Sequence, residues 1–346
     1  MHKNRKLIVK ILHGHAAEQT PVWLMRQAGR YLPEYMELRD RAGSFMGLCL
    51  NSGMAAEATL QPVRRFGVDG AIIFSDILMV PYALGQKVEF VEGVGPLLEP
   101  VDNEKKIRDL FFDVKKVEPV FEAVRLAKAQ LPDNVAMIGF CGGLWTVACY
   151  MIEGSSKDGF KRALAFAEHQ PEFMQCIIET LYDASLEYLC KQIDAGAEVI
   201  QIFDSWAGLL QADKFRKLVI EPTRRLVKAL EDRYPEIPVI GFPRGATPAD
   251  YKAYVMETGV DALSVDQDIP LNFIRDELQS EKPVQGNMDP EVLVVGGEKM
   301  EAAINHIMEN LGPNHIFNLG HGVLPETPPE NVAALVEQVK EFVIEK

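Results

Sequence analysis

The chain has 346 residues, 47% hydrophobic and 25% charged, which is enough apolar material for a large core and the balance of an ordinary globular protein. A formal net charge of -14 argues against nonspecific attraction to nucleic acid or to an anionic membrane surface, because the long-range field repels both. Five cysteines without a CxxC pair point to a reducing, cytoplasmic setting, and no apolar run approaches the roughly 18 residues of a membrane span.

Residues 1–20 carry basic charge, and Lys10 interrupts the one apolar run before it reaches signal-peptide length, so they are expected to be an N-terminal extension. Short runs rich in Val, Ile and Phe predict buried strands at 21–25, 70–75, 135–140, 198–203 and 237–242, with weaker ones at 262–265, 283–285 and 315–318. Residues 87–100 alternate around a glycine-containing turn and predict a hairpin at a rim. Helical spacing marks 115–131, 171–195, 211–234, 289–311 and 329 onward; Pro171 suits a first turn, Gly196 a C-terminal cap, and Asp289 with Pro290 a helix start.

Strand and helix alternate eight times with no linker or repeat between them, which predicts one α/β domain built as a (β/α)₈ barrel of the TIM type, spanning 1–346. An open, doubly wound sheet is the alternative. In a barrel the strand ends converge on one mouth, and here they carry unusual polar groups: Arg26 and Arg30 after the first strand, Asp76 after the second, Ser205 after the fourth and His321 after the eighth.

Guanidinium forks suit bidentate capture of carboxylates, and Arg39 stands near enough in sequence to add to the pair. Pairing with acidic residues of this acidic chain is the structural alternative for each arginine. Asp76 sits among apolar residues, where a carboxylate is costly unless paired or used, although capping a helix would also explain it. His321 lies between Gly320 and Gly322, where the backbone must come close to something. GxGxxG after a strand, GxxxxGK[ST], HExxH, GxSxG and zinc-spaced Cys/His clusters are all missing, so dinucleotide, triphosphate, serine-hydrolase and metal sites lack their usual signals. These residues alone predict an anionic ligand at a barrel mouth.

Five segments resemble the uroporphyrinogen decarboxylase family, in the same order: PVWLMRQAGRYLPEY (21–35), IIFSDILMVPYALG (72–85), IGFCGGLWTVACYMIEG (138–154), QGNMDP (285–290) and NLGHGVLPETPPENV (318–332). The resemblance implies a (β/α)₈ barrel, a homodimer, a uroporphyrinogen substrate and decarboxylation of its four acetate arms without cofactor or metal. It implies that Arg26, Arg30 and Arg39 bind substrate carboxylates and that Asp76 faces the pyrrole N–H groups. It further implies that Tyr150, Ser205 and His321 contact the substrate, that Phe140 and Phe203 form apolar walls, and that Arg26, Asp76, Tyr150 and His321 are the catalytic candidates.

Three positions depart from the family pattern: Cys141, Leu144 and Trp206, all expected to affect the rim. Two other readings compete. A methyltransferase on the same fold would need a thiolate partner for its zinc late in the chain, yet no cysteine follows Cys190; a silent tetrapyrrole carrier would be expected to lack one of the charged mouth residues.

Overall fold

A computed structural model describes residues 6–91 and 93–342. Strand β1 (Gly70–Ile72) is followed by a hairpin, β2 (Val88–Val91) and β3 (Gly95–Leu98). The remaining strands are β4 (Ala136–Gly142), β5 (Val199–Phe203), β6 (Val239–Phe242), β7 (Ala262–Ser264), β8 (Val284–Met288) and β9 (His315–Leu319). Apart from the hairpin they form one parallel sheet in the order β1-β4-β5-β6-β7-β8-β9. Every residue of β4, β6, β7, β8 and β9 is buried, as expected for strands with helices outside and a filled interior. The order runs around the sheet without the reversal that a doubly wound fold requires, which removes that alternative.

The predicted strand at 21–25 is reduced to one bridge, Val22 with Phe317. It nevertheless occupies the eighth stave: Phe317 donates to the carbonyl of Pro21 on one side, and Asp69, just before β1, donates to the carbonyl of Val22 on the other. Side chains explain why no ladder forms. The N–H groups of Val22, Leu24 and Met25 donate to Asp69 Oδ2, Gln27 Oε1 and Asn318 Oδ1, so the positions that would extend the pairing are already taken. Of the predicted N-terminal extension, the helix Leu7–Leu12 packs into the core, with Ile8 and Ile11 fully buried and Ile8 against Gly70, while residues 13–16 are exposed.

The helix at Pro171–Asp194 matches its prediction, with Gly196 in the left-handed region just after it. Two others are interrupted. The prediction at 211–234 becomes Ala212–Phe215, a π-turn at Arg216–Ile220 and Glu221–Arg233, because Pro222 lacks an N–H and its ring crowds the carbonyl four residues earlier; the wider turn accommodates both. The prediction at 289–311 divides into Pro290–Val295 and Gly297–Leu311 where Gly296 and Gly297 both take positive φ, and Asp289 caps the first piece as predicted.

Within the ring a polar layer is built around Gln285, which accepts from Trp23 Nε1 at 2.8 Å and donates to Gln201 and Ser264. Two residues beyond Gln201 on the same face of β5 is Phe203, so the next layer toward the strand ends is aromatic. The hairpin pairs from Val88 with Leu98 to Val91 with Gly95, and Phe90 packs at a tilt on Phe45 with ring centroids 4.5 Å apart, which fixes it over the mouth.

Candidate active site

A cavity of about 1010 Å³ opens at the C-terminal ends of the strands. Arg26, Arg30, Arg39, Asp76, Ser205 and His321 all line it, and so do Phe140, Tyr150 and Phe203; the structure therefore brings together every candidate catalytic and substrate-binding residue. The hairpin contributes Phe90, Val91 and residues 93–96 to the rim.

Arg26 is held by its backbone. It has φ of 60°, a left-handed conformation that costs a side-chain-bearing residue about 1–2 kcal/mol. The flanks impose it: Met25 N–H is tied to Asn318, and the buried Gln27 amide accepts from Leu24 N–H and donates to the carbonyl of Gly70. Gly322 makes room for the arginine shaft, since a Cβ there would lie 2.3 Å from Arg26 Cδ. Gly322→Ala is therefore expected to push Arg26 out of place and raise KM about tenfold with little change in Tm. Steady-state kinetics with a melting curve checks this, and an unchanged KM would contradict the placement.

The alternative that these arginines serve internal ion pairs does not hold among the described residues. The arginines that contact carboxylates within 4.0 Å are Arg64, Arg65, Arg108, Arg125, Arg216, Arg225 and Arg275, none of them at the mouth. Arg39 lies over the Phe45 ring, 5.6 Å from its centroid. In a chain of net charge -14, three cavity arginines without a carboxylate partner constitute a local anion site.

Asp76 combines its two sequence-based readings. Oδ1 accepts from Leu78 N–H at 2.8 Å, which caps the turn after β1, while the rest of the carboxyl faces the cavity. Burial pushes its pKa up to about 6, against the opposing influence of the Leu78 hydrogen bond and the Arg26 charge. The carboxylate is thus ionised at neutral pH and poorly compensated, a state in which it gains from any hydrogen-bond donor brought to it.

His321 is pushed the other way, to about 3, first by burial and then by the charges of Arg26 and Arg244. It is a neutral imidazole throughout the physiological range. Because its folded pKa lies below the unfolded one, the stability associated with it is present above the unfolded value and is lost as pH falls toward 3. An NMR titration of the ligand-free protein is expected to show no protonation of this ring between pH 5 and 8; a midpoint near 6.5 would contradict the burial.

The aromatic wall is larger than the sequence suggested. Phe140 and Phe203 meet edge to face at 5.6 Å, and Phe242, paired in register with Phe203, completes the wall at 6.4 Å. Phe242 was visible only as the end of a predicted strand; its register with Phe203 was the missing information. Arg244, two residues on, does not line the cavity but acts on His321 and Arg26 through its charge. No group of three or more His, Cys, Asp or Glu side chains that could hold a metal ion occurs among the described residues.

A family model described as uroporphyrinogen decarboxylase (URO-D) matches residues 3–342. The chain belongs to the uroporphyrinogen decarboxylase family. It is 47% identical over 341 residues to a protein of Rhodospirillum rubrum named uroporphyrinogen decarboxylase, covering 98% of both chains. It is 45% identical over 342 residues to one of Brucella anthropi with the same name, covering 97% of this chain and 98% of that one. Among solved structures, a methyltransferase from Methanosarcina mazei superposes with a TM-score of 0.76 over 99% of this chain and 98% of the other; at 20% identity this likeness concerns the fold alone.

None of the three residues expected to affect the rim lines the cavity. Cys141 and Leu144 are buried and line no part of the cavity. Trp206 also stays off the cavity surface, but its indole N–H donates to Tyr150 Oη at 3.3 Å.

Proposed function

We propose that this chain removes the carboxyl groups of the four acetate arms of uroporphyrinogen III, giving coproporphyrinogen III and four CO₂. The observation that carries the reading is the cavity itself: arginines with no carboxylate partner among the described residues share it with a half-buried, ionised Asp76, a pattern complementary to a ligand with anionic edges and a hydrogen-bond-donating centre. The names of the relatives, at 45–47% identity over nearly the whole chain, support the same substrate.

Loss of CO₂ leaves an electron pair that needs a sink. A pyrrole ring protonated on carbon becomes cationic and accepts the electrons released as the C–C bond of its acetate arm breaks. Proton delivery to the resulting methylene gives the methyl group, and loss of the proton first placed on the ring carbon restores the neutral pyrrole, so each acetate consumes one proton net and releases one CO₂. Asp76 accepts the pyrrole N–H bonds and gains interaction energy as the cation develops. Arg26, Arg30 and Arg39 hold the carboxylates in register, Ser205 adds a hydroxyl contact, and Phe140 and Phe203 exclude water from one face.

His321 is neutral in the empty site, so it enters as a hydrogen-bonding imidazole rather than a resident acid. Carboxylates settling on Arg26 offset one of the charges that depress it and move its pKa upward. Tyr150, whose phenol burial pushes up, remains protonated and able to donate. The working form is a cytoplasmic homodimer that requires no cofactor and does not bind nucleic acid. No helix of the described residues is long and apolar enough to cross a membrane.

The reading is tested by counting CO₂ against macrocycle consumed under anaerobic conditions. Four equivalents per macrocycle are expected, and binding without release would favour the silent carrier instead.

A further inference from the structure

Tyr150 and Trp206 lie 56 residues apart in sequence and meet at the edge of the cavity, where the indole N–H donates to the phenol oxygen at 3.3 Å. The indole is held from several directions. Its backbone N–H donates to Thr146 Oγ1 at 2.8 Å, and its carbonyl accepts from Trp145 Nε1 at 3.0 Å. Thr146 in turn donates through both its backbone N–H and its hydroxyl to Oδ1 of Asp204, which is 1% exposed. Phe160, fully buried, packs edge-on against both rings with centroids 5.0 Å from each. Neither ring can turn away without disturbing the other.

A phenol oxygen has one proton to donate and lone pairs to accept with. An N–H fixed on one lone pair leaves the phenol proton to the sectors facing away from the indole, which hold the Ser156 side chain and the cavity that Tyr150 lines. We propose that Trp206 is a positioning residue for the reaction: through its hydrogen bond it orients the Tyr150 hydroxyl as a donor into the substrate cavity. Trp206 itself does not line the cavity, so it acts through Tyr150 rather than on the substrate. The inference rests on the decarboxylase reading above and adds to it the reason Tyr150 points one way.

The test is a double-mutant cycle on uroporphyrinogen III with wild type, Trp206→Phe, Tyr150→Phe and the double variant, each with a melting curve. Trp206→Phe keeps an aromatic ring against Phe160 and removes only the donor. It is expected to lower kcat about 5–10-fold with KM changed less than about twofold, the size of one lost neutral hydrogen bond. In the Tyr150→Phe background the same change is expected to cost nothing further, because there is no hydroxyl left to orient. Trp206→His, which can present a ring N–H, is expected to recover part of kcat.

Full activity of Trp206→Phe, or losses that multiply in the double variant, would overturn the inference while wild-type turnover leaves the decarboxylase reading standing. Absence of CO₂ release from wild type would overturn both.

Discussion

Asp76→Asn is expected to lower turnover of uroporphyrinogen about 10²–10³-fold, the scale seen when a preorganised electrostatic partner of a transition state is removed. KM should change far less, since the carboxylate interacts most strongly with the cation that forms during reaction. The same substitution should leave Tm unchanged or higher. Folding raises the Asp76 pKa from its ordinary 3.8 to about 6, so the folded state holds the proton more tightly than the unfolded state does. Stability therefore falls as pH rises through that window, and a neutral amide that can still accept from Leu78 N–H escapes the penalty. Activity runs the other way: it requires the ionised form and should decline as pH drops through about 6. Near-normal turnover in this variant, or a large loss of stability, would assign Asp76 to capping alone.

Removing the guanidinium forks should act mainly on binding. Arg26→Gln and Arg30→Gln each forfeit hydrogen bonds to charged groups worth about 1.5–3 kcal/mol, which corresponds to about 10–100-fold in kcat/KM, with most of it in KM. Combining them should approach the product of the two unless one substrate carboxylate bridges both, in which case the double variant will show less. The folded protein should tolerate the changes, since neither arginine contacts a carboxylate among the described residues and Arg26 is crowded by the charges of Arg244 and Arg30. Arg26→Gln should also raise the pKa of His321, because one of the two charges depressing it is gone. Kinetics together with an NMR titration of His321 checks both statements. A KM within twofold of wild type in the double variant would contradict carboxylate capture at this site.

Much of the barrel was legible because parallel strands buried on both faces read as unbroken apolar runs, and β4, β5, β6 and β9 fall where those runs lie. The stave at 21–25 was misjudged for a reason that local sequence cannot carry: its N–H groups are taken by Asp69 and Asn318, 47 and 293 residues away, as well as by the nearby Gln27. The breaks at Pro222 and Gly296 were written in the chain but overridden by continuous helical spacing on either side. For the site, polar residues at strand ends sufficed to identify Arg26, Asp76, Ser205 and His321 as neighbours, since barrel topology brings those ends together. Whether the arginines were paired, whether Asp76 capped a turn or faced a ligand, and which protonation state His321 adopts depended on burial and distance. The pairing of Tyr150 with Trp206 left no mark in either local segment.

On the proposed reading the cavity binds an octacarboxylate, whose macrocycle serves as its own electron sink during decarboxylation. The direct measurement is anaerobic incubation of the purified chain with uroporphyrinogen III, with no metal or cofactor added and a chelator present, followed by oxidation and chromatographic separation of the porphyrins by carboxylate number. Successive seven-, six-, five- and four-carboxylate species are the predicted result, whereas unchanged eight-carboxylate material in the presence of folded protein would contradict it.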